Sequence, residues 1–224
     1  MSKDYQEYVS LLKEKVGVLY DVAKKARAKG LDPEMAPETR MAEDLAGLVE
    51  GFIGPQGVAG RIRELSEKMP REQVAFKLAE EIVYGRFGHL EEHEALDQAI
   101  RTAVAILTEG VTAAVYSEGI AKVSMKFNPD KSKYLAIYFA GPIRSAGGTE
   151  TALTPVIADF VRRLVGLDRY KPTDEEIERF IEELRLYERE VVRFQYHVSD
   201  KEVRKALQFL PVEVTGTQSD PVEV

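Results

Sequence analysis

The sequence predicts an α+β fold, with a helix-rich first half followed by a β-hairpin-centred unit flanked by helices. Three observations carry that expectation. Apolar residues recur at three- and four-residue spacings through the first half. Two short apolar runs, one through Ile120, Val123, Met125 and Phe127 and one from Tyr134 to Phe139, flank the turn residues Asn128-Pro129-Asp130. Helical spacing then returns, with capping-box signatures at Thr173/Glu176 and Ser199/Glu202.

The elements follow in order. From Tyr5 to Lys29, residues Tyr5, Val9, Leu12, Val16, Leu19, Val22 and Ala26 form one apolar stripe, and Gly30 stands where a left-handed C-cap would end the helix. A second helix is expected from Glu38 to Glu50, with Met41, Leu45, Leu48 and Val49 inward. Gly51 to Gly60 carries four glycines and Pro55 and reads as a loop. Short helices are expected at Val58–Lys68 and Arg71–Tyr84, and a longer one at Glu91–Glu109, with Leu96, Ala99, Ile100, Ala103, Val104 and Leu107 inside. After the hairpin, Thr151 to Leu164 has helical spacing, and its Pro155 is tolerable only near the helix start. The first capping box opens an acidic helix, and Val191–Val198, carrying His197, is expected to be extended. Three segments result: a helical assembly segment over 1–52, a mixed α/β domain over 53–210, and an extended start of the next region over 211–224. The last pattern stops part-way at Val224, and the natural chain is expected to continue past it.

Composition excludes several classes. The 224 residues are 44% hydrophobic and 31% charged, which suits a folded protein rather than a disordered one. No apolar run approaches the roughly 18 residues of a membrane span, and the polar start is no secretory signal, so no membrane association and a cytoplasmic location are expected. The absence of cysteine removes disulfides, thiolate metal sites and cysteine nucleophiles together. That absence, a single asparagine (Asn128) and abundant Glu, Lys and Arg fit a heat-adapted protein. Overall the chain is acidic, 38 Asp and Glu against 31 Lys and Arg, but Gly119–Pro172 reverses the balance, with nine basic residues against four acids. Charges scattered over solvated faces would give the same counts.

One stretch points to chemistry. Phe139 to Glu150 reads Phe-Ala-Gly-Pro-Ile-Arg-Ser-Ala-Gly-Gly-Thr-Glu, between an expected strand and an expected helix. A glycine-rich turn entering a helix N-terminus presents unpaired backbone N–H groups to an anion, with Arg144, Ser145 and Thr149 adding donors beside Gly147 and Gly148. A plain tight turn with Arg144 paired to an acid is the simpler reading of the same residues. Nucleoside triphosphate motifs fail here: Gly148 stands where a P-loop needs lysine, and no G-x-G-x-x-G occurs. His89 and His93 are four apart and could share a helical face, but Leu90 replaces the glutamate of a zinc-protease motif, so no metal site is expected. No catalytic constellation and no Asp-x-Asp pair for magnesium appears, so no catalytic residue is expected.

The run Gly141-Pro142-Ile143-Arg144-Ser145-Ala146-Gly147-Gly148-Thr149 resembles a segment near the start of the large subunit of archaeal family-D DNA polymerase. Ala42–Ala46, Gly54–Ala59, Arg101–Val111 and Tyr170–Thr173 are similar in the same order, so the resemblance spans most of the chain. It implies part of a DNA-directed DNA polymerase, a multimeric nucleotidyltransferase of DNA replication. The family's polymerase aspartates and zinc segments lie downstream, so magnesium and zinc are expected elsewhere, no cofactor here, and no catalysis by this polypeptide alone. The implied partners are DNA, bound without sequence preference, the small exonuclease subunit, and a second large subunit. Candidate backbone contacts are Arg144, Ser145, Gly147, Gly148 and Thr149, then Lys122, Lys126, Arg162 and Arg163. The rival reading is a pure assembly module that never touches DNA.

Overall fold

The computed structural model describes residues 3–31, 42, 44–108, 119–139, 149–191 and 193–216. Contacts divide the chain into two units, Met1–Arg40 and Met41–Val224. The first contributes one helix, α1 (Lys3–Ala28). Gly30 ends it at φ +69°, and the N–H groups of Gly30 and Leu31 return to the carbonyls of Arg27 and Ala26. Along α1 the side chains of Tyr8, Leu12, Val16, Leu19 and Val22 are exposed.

The first described helix of the second unit is α2 (Leu45–Phe52); residues 38–41 and 43 of the helix expected from Glu38 lie outside the described residues. Asp44 is extended, and its carboxylate accepts the Gly47 N–H at 2.8 Å, so it caps the helix and cannot lie within it. The same carboxylate takes Arg63 of α3 (Val58–Ser66) at 2.7 and 2.9 Å. Arg63 and then the Gly47 N–H bring its pKa down from 3.8 to about 2. Gly51 falls inside α2 and Gly60 inside α3, so the expected ten-residue loop shrinks to residues 53–57. Gly54 is required there, since a Cβ would stand 2.5 Å from a Val58 methyl. Gly57 has no side chain to cap α3, and Glu50 does so from a distance, accepting the N–H groups of Gly57 and Ala59 at 3.1 and 2.7 Å.

α4 (Arg71–Val83) and α5 (Glu92–Leu107) pack side by side, and α6 (Thr149–Leu164) lies on both. Leu78, Ile82, Leu96, Ile100, Ile106 and Ile157 are fully buried between them, and Phe76 meets Phe160 edge-on at 5.1 Å. Arg61 of α3 clamps the buried Glu81 of α4 at 2.9 and 2.5 Å, which holds that carboxyl below its usual range. Two expectations change. α5 starts at Glu92, so His89 lies before the helix and does not share a face with His93. Pro155 is the seventh residue of α6, not near its start, because the helix begins at Thr149. The cost is the single backbone bond that a residue-155 N–H would have made.

The sheet has three strands in the order β1-β2-β3, with β1 (Ile120–Phe127) antiparallel to β2 (Lys133–Phe139) and β2 parallel to β3 (Glu213–Gly216). The expected hairpin forms; the parallel third strand comes from the tail that the sequence marks only as extended. Val123, Leu135, Ile137 and Phe139 face the helical core. Between α6 and β3 run α7 (Asp174–Glu190) and α8 (Asp200–Phe209), each opened by its expected capping box, at Thr173/Glu176 and Ser199/Glu202. Residues 191–199 join no ladder among the described residues, and His197 lies exposed, its Nδ1 3.0 Å from Glu188, rather than on a strand.

The hairpin turn is closed by Lys131 in the left-handed region at φ 67°, with Lys131 N–H donating to the Asn128 carbonyl and Asn128 N–H to the Ser132 carbonyl. Asn128 is 4% exposed. Its amide donates to Ser132 Oγ at 3.0 Å and to the Arg169 carbonyl at 2.9 Å, and its Oδ1 accepts the Lys171 N–H at 2.9 Å. The chain's one asparagine thereby ties the turn to the strand-like connector that leaves α6. Asn128→Ala should leave the Arg169 carbonyl and the Lys171 N–H without partners. The expected loss is about 2 kcal/mol in a urea titration; an unchanged midpoint would mean that the knot contributes nothing.

Candidate nucleic-acid interface

Strand alternation places Lys122, Ser124 and Lys126 on the sheet face away from the helices. Opposite them stand Tyr138, Ala136 and Tyr134 of β2, and beyond these Thr215 and Glu213 of β3. This outer face has two unlike halves. At the hairpin end Tyr134 and Tyr170 are buried with ring centroids 5.1 Å apart, over a fully buried Ala136. The connector seals them in, through Asp168 N–H to the Lys133 carbonyl and Tyr170 N–H to the Pro211 carbonyl. Under that cover Glu213, 5% exposed, accepts Lys126 Nζ at 2.9 and 2.6 Å and the Tyr134 hydroxyl at 2.7 Å. Burial and then the Glu213 carboxylate push the Tyr134 hydroxyl well above its usual range.

The other half is uncovered by the connector, and among the described residues nothing else seals it. Lys122 is exposed, its Nζ lies 5.8 Å from the centre of the half-buried Tyr138 ring, and it forms no ion pair among the described residues. Lys122 pairs in register with Tyr138, next to Phe139, where β2 ends. The candidate residues Arg144, Ser145, Gly147 and Gly148 lie outside the described residues. Thr149 opens α6, and its side chain is likewise outside the description.

Arg162 and Arg163 stand at the far end of α6, 13 residues beyond Thr149 and so roughly 20 Å along the axis at 1.5 Å per residue. Both address Asp159, which is 8% exposed. Arg162 Nη2 lies 2.5 Å from its Oδ1, Arg163 Nη2 pairs with its Oδ2, and Arg162 Nη1 donates to the Leu167 carbonyl at 3.1 Å. Lys171, in the same basic stretch, bridges Asp130 and Asp168 at 2.6 and 2.5 Å and holds both carboxyls below their usual range. Of the four described candidate cations, three therefore have an internal carboxylate partner, and Lys122 has none among the described residues. The sequence carried a signal for the arginine pair, since Asp159 precedes them by three and four residues. It carried none for Glu213, which meets Lys126 across 87 residues.

Residues 7–224 match the family model described as DNA polymerase II large subunit DP2, N-terminal. The chain belongs to that family. Among curated proteins it is 55% identical to the DNA polymerase II large subunit of Methanosphaera stadtmanae, over 97% of this chain and 20% of that protein. It is 51% identical to that of Pyrococcus horikoshii, over the whole chain and 16% of that protein. With the Thermococcus kodakarensis protein the identity is 50%, over 12% of its length. The chain thus spans a fifth or less of the relatives it matches. Within this N-terminal family region, the described residues include no group of three or more Asp, Glu, His or Cys placed to hold a metal ion. No helix among them is long and apolar enough to cross a membrane.

The Lys126 pair is open to a direct test. Lys126→Met removes the cation from a buried carboxylate and should destabilise the fold by about 2 kcal/mol. Adding Glu213→Gln should restore most of that loss, since the glutamine side chain can still accept from the Tyr134 hydroxyl. A double variant no more stable than Lys126→Met would show that the loss does not come from leaving the Glu213 charge unpaired.

Proposed function

We propose that this chain is the non-catalytic N-terminal part of the large subunit of an archaeal, cytoplasmic, DNA-templated DNA polymerase, and that it supplies sequence-nonspecific DNA-backbone contact together with subunit assembly. Magnesium and zinc chemistry then belongs elsewhere in the full-length subunit. The observation that supports the DNA contact is Lys122. It is an exposed cation with no acid partner among the described residues, at the end of the sheet where the chain runs on toward Arg144, Ser145, Gly147, Gly148 and Thr149. A phosphate backbone suits such donors, and contacts of this kind carry no base information. Lys122→Gln with Arg144→Gln should weaken retention of a random-sequence DNA by about tenfold and lower the salt slope by about two. Arg162→Ala with Arg163→Ala should act on stability through Asp159, with a smaller change in the slope. Anisotropy titrations across salt read both quantities. A slope untouched by the first pair would remove the DNA contact and leave the assembly role.

The assembly half rests on α1, whose exposed Leu12, Val16 and Leu19 suit a groove on the small exonuclease subunit or on a second large subunit. Leu12→Glu with Leu19→Glu should abolish that association in sedimentation while leaving DNA retention intact. Association that survives both glutamates would put the assembly contact elsewhere.

A further inference from the structure

We infer that the open half of the sheet's outer face is a platform for single-stranded DNA, on which one unstacked base lies against Tyr138 while Lys122 neutralises the adjoining phosphate. This rests on the DNA-contact reading above and deepens it by naming the form of DNA.

The argument starts from the contrast between the two halves. At the hairpin end the aromatic ring, the lysine and the acid satisfy one another: Tyr134 is 3% exposed, and its hydroxyl and Lys126 both end on Glu213. Four residues further along β2, and four back along β1, the same aromatic-lysine pairing recurs as Tyr138 with Lys122. In the second set no carboxylate among the described residues takes the acid's place. Thr215 stands beside Tyr138 where Glu213 stands beside Ala136. The connector that covers Tyr134 reaches the sheet at Lys133 and Pro211, at the hairpin end. The result is a half-buried ring with a positively charged Nζ 5.8 Å from its centre, and the hydroxyl residues Ser124 and Thr215 on the same face.

Strand ladders on both edges fix the backbone of Tyr138, so the ring is held ready without an ordering cost at binding. An aromatic face and an adjacent cation are the two groups that a nucleotide of a single strand engages together, through its base and its phosphate. A duplex offers only the phosphate, because its bases are already stacked on both sides. The platform therefore discriminates between strand states, and the lysine alone does not.

The test uses an oligothymidine strand and a random-sequence duplex of the same length at fixed salt. Tyr138→Leu should weaken single-strand binding by about tenfold and duplex binding by less than about twofold, with Tyr138→Phe close to the unaltered protein in both. Lys122→Gln should weaken both forms. A second readout needs no variant: ultraviolet cross-linking of a 5-iodouracil strand to the unaltered protein should place the adduct on Tyr138. Equal losses for strand and duplex with Tyr138→Leu, or adducts only at other residues, would overturn the platform while leaving the backbone contact in place. Failure of the unaltered protein to bind either DNA would overturn both readings.

Discussion

β2 has to be covered on both faces and paired on both edges, and the arrangement of the second unit follows from that demand. Leu135, Ile137 and Phe139 bring α5 and α6 onto one face. Tyr134 and Ala136 bring Tyr170 and the connector onto the other. A strand this apolar in its interior cannot leave an edge unpaired without exposing a ladder of N–H and C=O groups beside hydrophobic side chains. β1 takes one edge through a local turn, and β3 takes the other from a point far along the chain. The parallel direction of β3 follows from its route, since α6, α7 and α8 all lie between the two strands in sequence. Among the described residues the connector covers only the hairpin half of the outer face.

Buried acids explain much of the apparent basicity of the middle of the chain. Glu81, Asp159 and Glu213 are each under a tenth exposed, and each is matched by a cation: Arg61, Arg162 with Arg163, and Lys126. An ionised carboxylate in such a place is tolerable only with a counter-charge at hydrogen-bond distance. Counting lysines and arginines along a segment therefore overstates the positive charge available to an anionic polymer. The nine basic residues of Gly119–Pro172 include four whose partners are acids within that segment or in β3: Lys126, Arg162, Arg163 and Lys171.

Local rules made most of the fold legible. Capping boxes, the glycine C-cap of α1, the apolar stripe of α5 and the hairpin turn all depend on residues within a few positions of one another, and they form where the sequence puts them. Failures occur where a distant partner decides. The start of α2 depends on Asp44, which α3 holds through Arg63. β3 is only four residues long and has no strand without β2. Asn128 reads as an ordinary turn residue until the connector arrives at its side chain. The site was less legible than the fold for the same reason. Charge and alternation identified Lys122 and Lys126 together, and only the register of a third strand separates them.

That separation bears on how tightly the proposed contact would hold DNA by itself. Salt-dependent affinity grows with the number of phosphates neutralised, and Lys122 is the one described candidate cation with no carboxylate partner among the described residues. A contact of so few charges is weak and fast to release as an isolated event. If the chain sits in a large subunit as long as those of its relatives, the proposed contact would become intramolecular once another part of the polymerase held the DNA. Its contribution is then set by effective concentration rather than by intrinsic affinity.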